Sequence, residues 1–217
     1  MFDTFIRFDG AVFAWIYETL NPGSGGFLDQ FFSFVTHLGD GGLFWIALAL
    51  ILLIPNKTRK VGAVMIGALL LDVVINNGIL KTLFERPRPF DFDWTGSGFA
   101  YFYPGILPER PDEFSFPSGH TGISFAGAMA LFLASKPKWV GKKVRWLTLI
   151  AVALAALIGF SRIYLGVHYA TDVLAGILVG TFCAVLSLLI FQLAQPLYEK
   201  INRPVTAFTE KLFAKKK

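Results

Sequence analysis

Residues 173–193 read VLAGILVGTFCAVLSLLIFQL, from Val173 to Leu193, without a single Asp, Glu, Lys or Arg. A helix that crosses the hydrocarbon core of a bilayer needs roughly 20 mostly apolar residues. Backbone in hydrocarbon must satisfy its own hydrogen bonds, which a helix does. The stretch therefore reads as a membrane span. Working outward, similar stretches stand at 145–160, 118–134 and 61–80. A fifth, 42–54, is short. It either continues backwards through 27–38 or follows a partly inserted helix there, because that piece holds Asp29, His37 and Asp40.

Composition agrees. Of 217 residues, 54% are hydrophobic and only 16% charged, against about 25% charged in soluble domains. Residues 1–20 place Phe2, Phe5, Ile6, Phe13, Ile16, Tyr17 and Leu20 near one helical face, which predicts an amphipathic helix lying in the interface. Asp3, Asp9 and Glu18, with no basic start before an apolar run, argue against a signal peptide. Asn21-Pro22-Gly23-Ser24-Gly25-Gly26 is a turn. Cys183 is alone, excludes an intramolecular disulfide, and reads as a small hydrophobe. The expected fold is all-α: an integral-membrane helical bundle of about five to six membrane-embedded helices, with the amphipathic helix at the N-terminus. Residues 1–217 read as one domain.

The formal net charge is +5, and the positions of the charges say what it is for. Lys57, Arg59 and Lys60 follow the first span. Lys136, Lys138, Lys142, Lys143 and Arg145 join the third and fourth. Lys200, Arg203, Lys211 and Lys215 to Lys217 follow the fifth. With five spans these groups share one side, which the positive-inside bias makes cytoplasmic. Lys81, Arg86, Arg88, Arg110 and Arg162 fall opposite, where topology does not explain them.

That opposite face is rich in chemistry. Lys81 and Arg88 lie seven apart, two helical turns, and Pro87 and Pro89 end the helix near Arg88. Pro117-Ser118-Gly119-His120 opens a span, with Ser118 as a natural N-cap. Free N–H groups at a helix N-terminus suit a phosphate. Arg162 ends the fourth span, and His168 precedes Asp172 by four, so imidazole and carboxylate share a helical face. Arg and Lys clamp phosphoryl oxygens. One histidine backed by a carboxylate can act as nucleophile and another as general acid. The residues alone leave open which histidine attacks.

Lys81-x6-Arg88-Pro89, Pro117-Ser118-Gly119-His120 and Ser161-Arg162-x5-His168-x3-Asp172 resemble the three-part signature of the type 2 phosphatidic acid phosphatases (PAP2 family). The three parts stand in order across 81–172 with no departure at a motif position. The resemblance implies that His168 attacks phosphorus and forms a phosphohistidine, that Asp172 orients His168, and that His120 protonates the leaving oxygen. It implies that Lys81, Arg88, Ser118, Gly119 and Arg162 hold the phosphoryl oxygens. No metal or other cofactor is expected, so activity should survive a chelator. The expected partners are a lipid phosphate substrate and membrane lipids, with no nucleic acid. The site is expected on the extracytoplasmic side of the cytoplasmic membrane. Short length and five spans look like bacterial members acting on undecaprenyl diphosphate or phosphatidylglycerol phosphate, with phosphatidic acid a further candidate. Arg86, beside the first motif, is expected at a second phosphate.

Other readings stand beside these. An ion or anion transporter would place its basic residues nearer the midplane. A vanadium haloperoxidase shares similar motifs but is expected to be soluble. A non-catalytic lipid-phosphate binder would not need His120, His168 and Asp172 together. His37 reads as structural, and Arg86 and Arg110 equally well as snorkelling residues. Gly176-x3-Gly180 reads as a helix-packing face. Asp72, Asn76 and Asn77 read as interhelical polar contacts. The aromatic residues of loop 90–116, Trp94, Phe99, Tyr101, Phe102 and Tyr103, fit an interface belt or a lid.

Overall fold

Apolar periodicity and Gly/Pro punctuation cut the chain into helices, and every regular element among the described residues is helical. The structure is a computed structural model describing residues 2–99, 101, 103–107, 110–135 and 137–200, without the side chains of 2, 3 and 137–145. In chain order come α1 (Phe2–Leu20), α2 (Phe27–His37), a 3-10 turn (Asp40–Gly42), α3 (Leu43–Leu53) and α4 (Arg59–Asp72). A π-helical stretch (Val73–Leu80) leads into α5 (Lys81–Phe84), followed by α6 (Gly119–Ala134), α7 (Pro137–Tyr164) and α8 (Ala170–Leu193).

Among the described residues, three helices are long and apolar enough to cross a membrane: Arg59–Phe84, Trp146–Tyr164 and Ala170–Leu193. The pair Phe27–His37 and Asp40–Leu53, bent by 43°, makes a fourth if it is one span. The break has a local cause. Gly41 and Gly42 stand at φ +56° and +67°, a left-handed backbone that other residues rarely adopt. α6 has 16 residues, about 24 Å of helix, shorter than the roughly 30 Å hydrocarbon core. It lies in the middle, packed on α8, α4 and α7.

Gly176 and Gly180 let α8 approach α6. A Cβ on Gly180 would fall 2.2 Å from Gly122 O, and one on Gly176 would fall 2.8 Å from Ser118 O. Trp45, Met65, Phe125, Ala126 and Ile158 fill the core along this axis. Lys60 pairs with Glu199 at 3.4 Å, so the start of α4 and the residues after α8 share one end of the bundle. Of the other basic residues used to orient the chain, Lys136, Arg203, Lys211 and Lys215 to Lys217 lie outside the described residues. So do the side chains of Lys138, Lys142, Lys143 and Arg145.

α1 turns most of its expected apolar face inward, with Ile6, Tyr17 and Leu20 partly buried, and adds one acidic residue to it. Phe13, Ile16 and the acidic Asp9 are buried, whereas Phe5 is half exposed. The reason is the loop before α6, which lies against α1. Phe13 meets Trp94 and Tyr101 edge-on, at centroid distances of 5.9 and 5.1 Å. Phe99 packs on Gly10, where no Cβ would fit. Trp94 Nε1 donates to Pro89 O at 2.9 Å, and Tyr101 Oη donates to Gly166 O at 2.5 Å. The aromatic loop is thus tied down on α1 and the α7–α8 turn; Phe102 lies outside the described residues.

Candidate active site

At the end of the bundle opposite Lys60, helix ends converge on a cavity of about 720 Å³. Lys81, Arg88, Gly119, His120, Arg162 and His168 all line it. Most of the residues read from the sequence are therefore brought together. Lys81 starts α5 and points into the cavity. The helix stops at Phe84, where Glu85 turns left-handed at φ +44°, and Arg88 follows in extended chain.

His168 sits in the tight turn between α7 and α8 and is 1% exposed. Its Nδ1 faces Asp172 Oδ2 at 3.3 Å and Ser115 Oγ at 3.4 Å. A carboxylate accepts a hydrogen bond, so Nδ1 carries the proton and Nε2 keeps its lone pair. Arg88 Nη1 lies 3.2 Å from that Nε2 and also donates to Val167 O at 2.9 Å. Burial, and then the neighbouring Arg88 and Arg162, hold His168 well below the ordinary histidine range. It is a neutral imidazole with its free nitrogen turned toward cations.

Asp172 is fully enclosed. Oδ2 accepts from Ser115 Oγ at 2.5 Å and from the Tyr169 N–H at 3.0 Å, and Oδ1 accepts from Arg86 at 2.6 Å. Here the geometry corrects the reading of Arg86 as a second-phosphate contact. Arg86 does not line the cavity. It lies behind Asp172, donates to Thr171 Oγ1 and Asp9 Oδ2 at 2.7 and 2.8 Å, and stacks 3.7 Å from the Tyr169 ring. Arg86 and Arg88 flank Pro87, and their guanidinium groups go to different partners, Arg86 to Asp9 and Asp172 and Arg88 to Val167 O and His168. Arg110 does line the cavity, held over the Tyr103 ring at 4.7 Å.

His120 is partly exposed, and its Nε2 is 2.7 Å from Asp40 Oδ1. The left-handed glycines after Asp40 bring it there, and the spacing of 80 residues hid the pair from sequence reasoning. Arg162 Nη1 donates to Thr36 Oγ1 at 2.7 Å, and its buried Nε has no partner among the described residues. Lys81 is ion-paired with Glu113, whose backbone O accepts from Arg88 Nε at 2.7 Å. That pair holds Glu113 below the usual carboxylate range.

Ser118 stands at the N-cap of α6, but its hydroxyl makes no cap hydrogen bond. It accepts from Thr121 Oγ1 at 2.9 Å instead. Gly119 is needed because a Cβ there would fall 2.9 Å from Asn77 Oδ1. Asn76 Nδ2 reaches Ser118 O at 3.4 Å and Asp72 Oδ1 at 3.5 Å from the π-helical stretch. Such stretches mark functional sites in many proteins. Sequence reasoning missed Ser115, Glu113, Asp40, Thr36 and Asp9 as parts of this surround.

The arrangement defines a class: a helical membrane protein whose cavity, lined by Lys81, Arg88 and Arg162, holds a carboxylate-backed histidine at one wall and a second histidine at another. The chain belongs to the PAP2 superfamily, whose family model matches residues 57–196. It is 35% identical over 143 residues to an undecaprenyl-diphosphatase of Sulfolobus acidocaldarius, covering 66% of this chain and 61% of that relative. It is 32% identical over 181 residues to phosphatidylglycerophosphatase B of Bacillus subtilis, covering 81% of this chain and 78% of the relative. The crystal structure of a transmembrane PAP2-type phosphatidylglycerolphosphate phosphatase from Bacillus subtilis matches with a TM-score of 0.64. That match has 26% identity and covers 85% of this chain and 84% of the other. These relatives are named as phosphatases, and the expected all-helical membrane fold is shared with the solved one, with three helices, or four if the bent pair is one, long and apolar enough to span among the described residues.

Proposed function

We propose that this membrane phosphatase hydrolyses the head-group phosphate or diphosphate of a lipid through a phosphohistidine on His168. The observation that carries the reading is the orientation of His168. Nδ1 is committed to Asp172, and Nε2 is at the wall of a cavity that also holds Lys81, Arg88, Arg162 and His120. In the first step Nε2 bonds to phosphorus as the bond to the leaving oxygen breaks, and His120 supplies the proton that oxygen takes. In the second, water attacks phosphorus, gives its proton to His120, and frees His168 with inorganic phosphate. Lys81, Arg88, Arg162 and Gly119 hold the phosphoryl oxygens, with first-turn N–H groups of α6 aimed at the charge; Ser118, expected among them, is fully buried, does not line the cavity, and serves at the N-cap of α6. Asp40, 2.7 Å from His120 Nε2, fixes the orientation of that ring.

A lipid suits the cavity because one wall is apolar. Gly41, Gly42, Val73 and Ile123 line it, and Val73 is 46% exposed on the outside of the bundle. The site is proposed to face the extracytoplasmic side of the plasma membrane, opposite the Lys- and Arg-rich end. The relatives' activities support undecaprenyl diphosphate or phosphatidylglycerol phosphate as substrate. The test is phosphate release by purified protein in detergent from a panel of lipid phosphates and diphosphates, with chelator present. Acid-quenched samples are assayed for an acid-labile, base-stable phosphoprotein. Release by the wild type, with both signals lost in His168→Ala, is expected. A phosphoprotein that persists in His168→Ala overturns the assignment of the nucleophile.

A further inference from the structure

Asp9, Arg86 and Asp172 form one buried chain of charge that the phosphatase chemistry above does not use directly. Both carboxylates have side chains fully shielded from solvent. Between them lies a single guanidinium, with Nη1 on Asp172 Oδ1 at 2.6 Å and Nη2 on Asp9 Oδ2 at 2.8 Å. Asp9 belongs to α1 and also binds the start of α8 directly. Its Oδ1 accepts from the Thr171 N–H at 2.9 Å, and its Oδ2 accepts from Thr171 Oγ1 at 2.7 Å. The Tyr169 ring closes the face of Arg86 at 3.7 Å. An unpaired charge in such a place is unfavourable, so the three groups hold one another in a single geometry.

We propose that Arg86 and Asp9 are positioning residues for the catalytic carboxylate. Arg86 fixes Oδ1 of Asp172 so that Oδ2 faces His168 Nδ1, and Asp9 of the N-terminal helix fixes Arg86. The inference rests on the phosphohistidine reading. The argument is geometric. The hydrogen bond from His168 to Asp172 is long, 3.3 Å, and Oδ2 is shared with Ser115 and the Tyr169 N–H. A small rotation of the carboxylate about its Cβ–Cγ bond would hand Oδ2 entirely to those donors. Arg86 opposes that rotation by holding the other oxygen with Nη1 while Nη2 is anchored on Asp9, a two-point geometry that a planar guanidinium provides and an ammonium does not. A phosphate-binding arginine would face the cavity instead, and Arg86 does not.

The experiment compares Arg86→Met, Arg86→Lys, Asp9→Asn and the Arg86→Met/Asp9→Asn double variant with wild type. It reads kcat, KM and inhibition by inorganic phosphate, on protein checked for monodispersity and melting temperature. Removing an orienting partner behind a functional ligand commonly costs about 10–100-fold. Arg86→Met is expected to lose kcat in that range with KM and phosphate inhibition within about twofold. Arg86→Lys should recover kcat only in part. Asp9→Asn should lose less, and the double variant no more than Arg86→Met alone, because the two act in series. A raised KM with weaker phosphate inhibition would make Arg86 a substrate contact and overturn the proposal, as would an unchanged kcat. If Arg86→Met does not fold, Asp9→Asn decides by the same kcat criterion. An inactive wild type would instead count against the phosphatase reading itself.

Discussion

Glu113 occupies Lys81 before any substrate arrives, so neutralising it should tighten binding. The Lys81 side chain is 8% exposed and that of Glu113 is 64% exposed. Their attraction is partly screened, and exposed ion pairs are worth about 0.2–1 kcal/mol. The near-complete burial of Lys81 places this pair toward the upper end, about 1 kcal/mol. A phosphoryl group that takes over Lys81 must first give up that amount. Glu113→Gln removes the competing charge and leaves the backbone O that accepts from Arg88. The expected result is a fall in KM of about two- to fivefold, with inorganic phosphate inhibiting more tightly by the same factor. kcat should stay within about twofold, because Glu113 touches neither histidine in the hydrogen-bond pattern. Steady-state kinetics on a lipid phosphate at low ionic strength provide the assay, and added salt should narrow the gap between the two proteins. In a Lys81→Met background the Glu113→Gln effect should vanish. A raised KM, or a gain that persists without Lys81, would refute the competition argument.

Three further outcomes are expected. Asp40→Asn should lower kcat about 10–100-fold on lipid substrates, and much less on a p-nitrophenyl phosphate, whose leaving group needs no proton. An equal loss on both would place Asp40 outside acid catalysis. Gly180→Ala puts a Cβ 2.2 Å from Gly122 O, a backbone atom that cannot swing aside. It should cost about 1–3 kcal/mol, seen as a lower melting temperature in detergent. Burial holds His168 well below its ordinary value of 6.5, so the nucleophile stays neutral below that pH. The acid limb of kcat/KM, corrected for the phosphate's own ionisation near about 6, should fall under 6.5. The sign for stability follows from the same shift. Above 6.5 neither state is protonated there; below it the unfolded chain takes a proton the folded one refuses, so stability drops as pH falls.

The parts of the site that the sequence displayed are those whose geometry is local. His168 and Asp172 meet because four residues make a helical turn. Lys81 and Arg88 share the cavity because a helix end and Pro87 stand between them. Ser118-Gly119-His120 open a helix because glycine is the residue that fits against Asn77. What stayed hidden is what only packing can join. Asp40 reaches His120 across 80 residues, and Arg162 reaches Thr36 across 126. Arg86 misled for a related reason. Arg88, two residues on, belongs to the motif, but sequence spacing did not show that Arg86 reaches back to Asp9 and Asp172, 77 and 86 residues away. The amphipathic reading of α1 took the apolar residues as its buried stripe. It had no means of knowing that Asp9 would find a cation at position 86.

The buried chain from Asp9 to Asp172 also dictates when this enzyme can first act during its own synthesis. The ribosome delivers α1 early, Arg86 later, and Thr171 and Asp172 only as α8 appears. Until then the membrane holds a half-built protein with Lys81, Arg88 and the Asp9 and Arg86 pair already made, but with neither His168 nor Asp172. Such a nascent chain can attract anionic lipid without cutting it. On the proposed function, the site is complete only once α8 docks against α1.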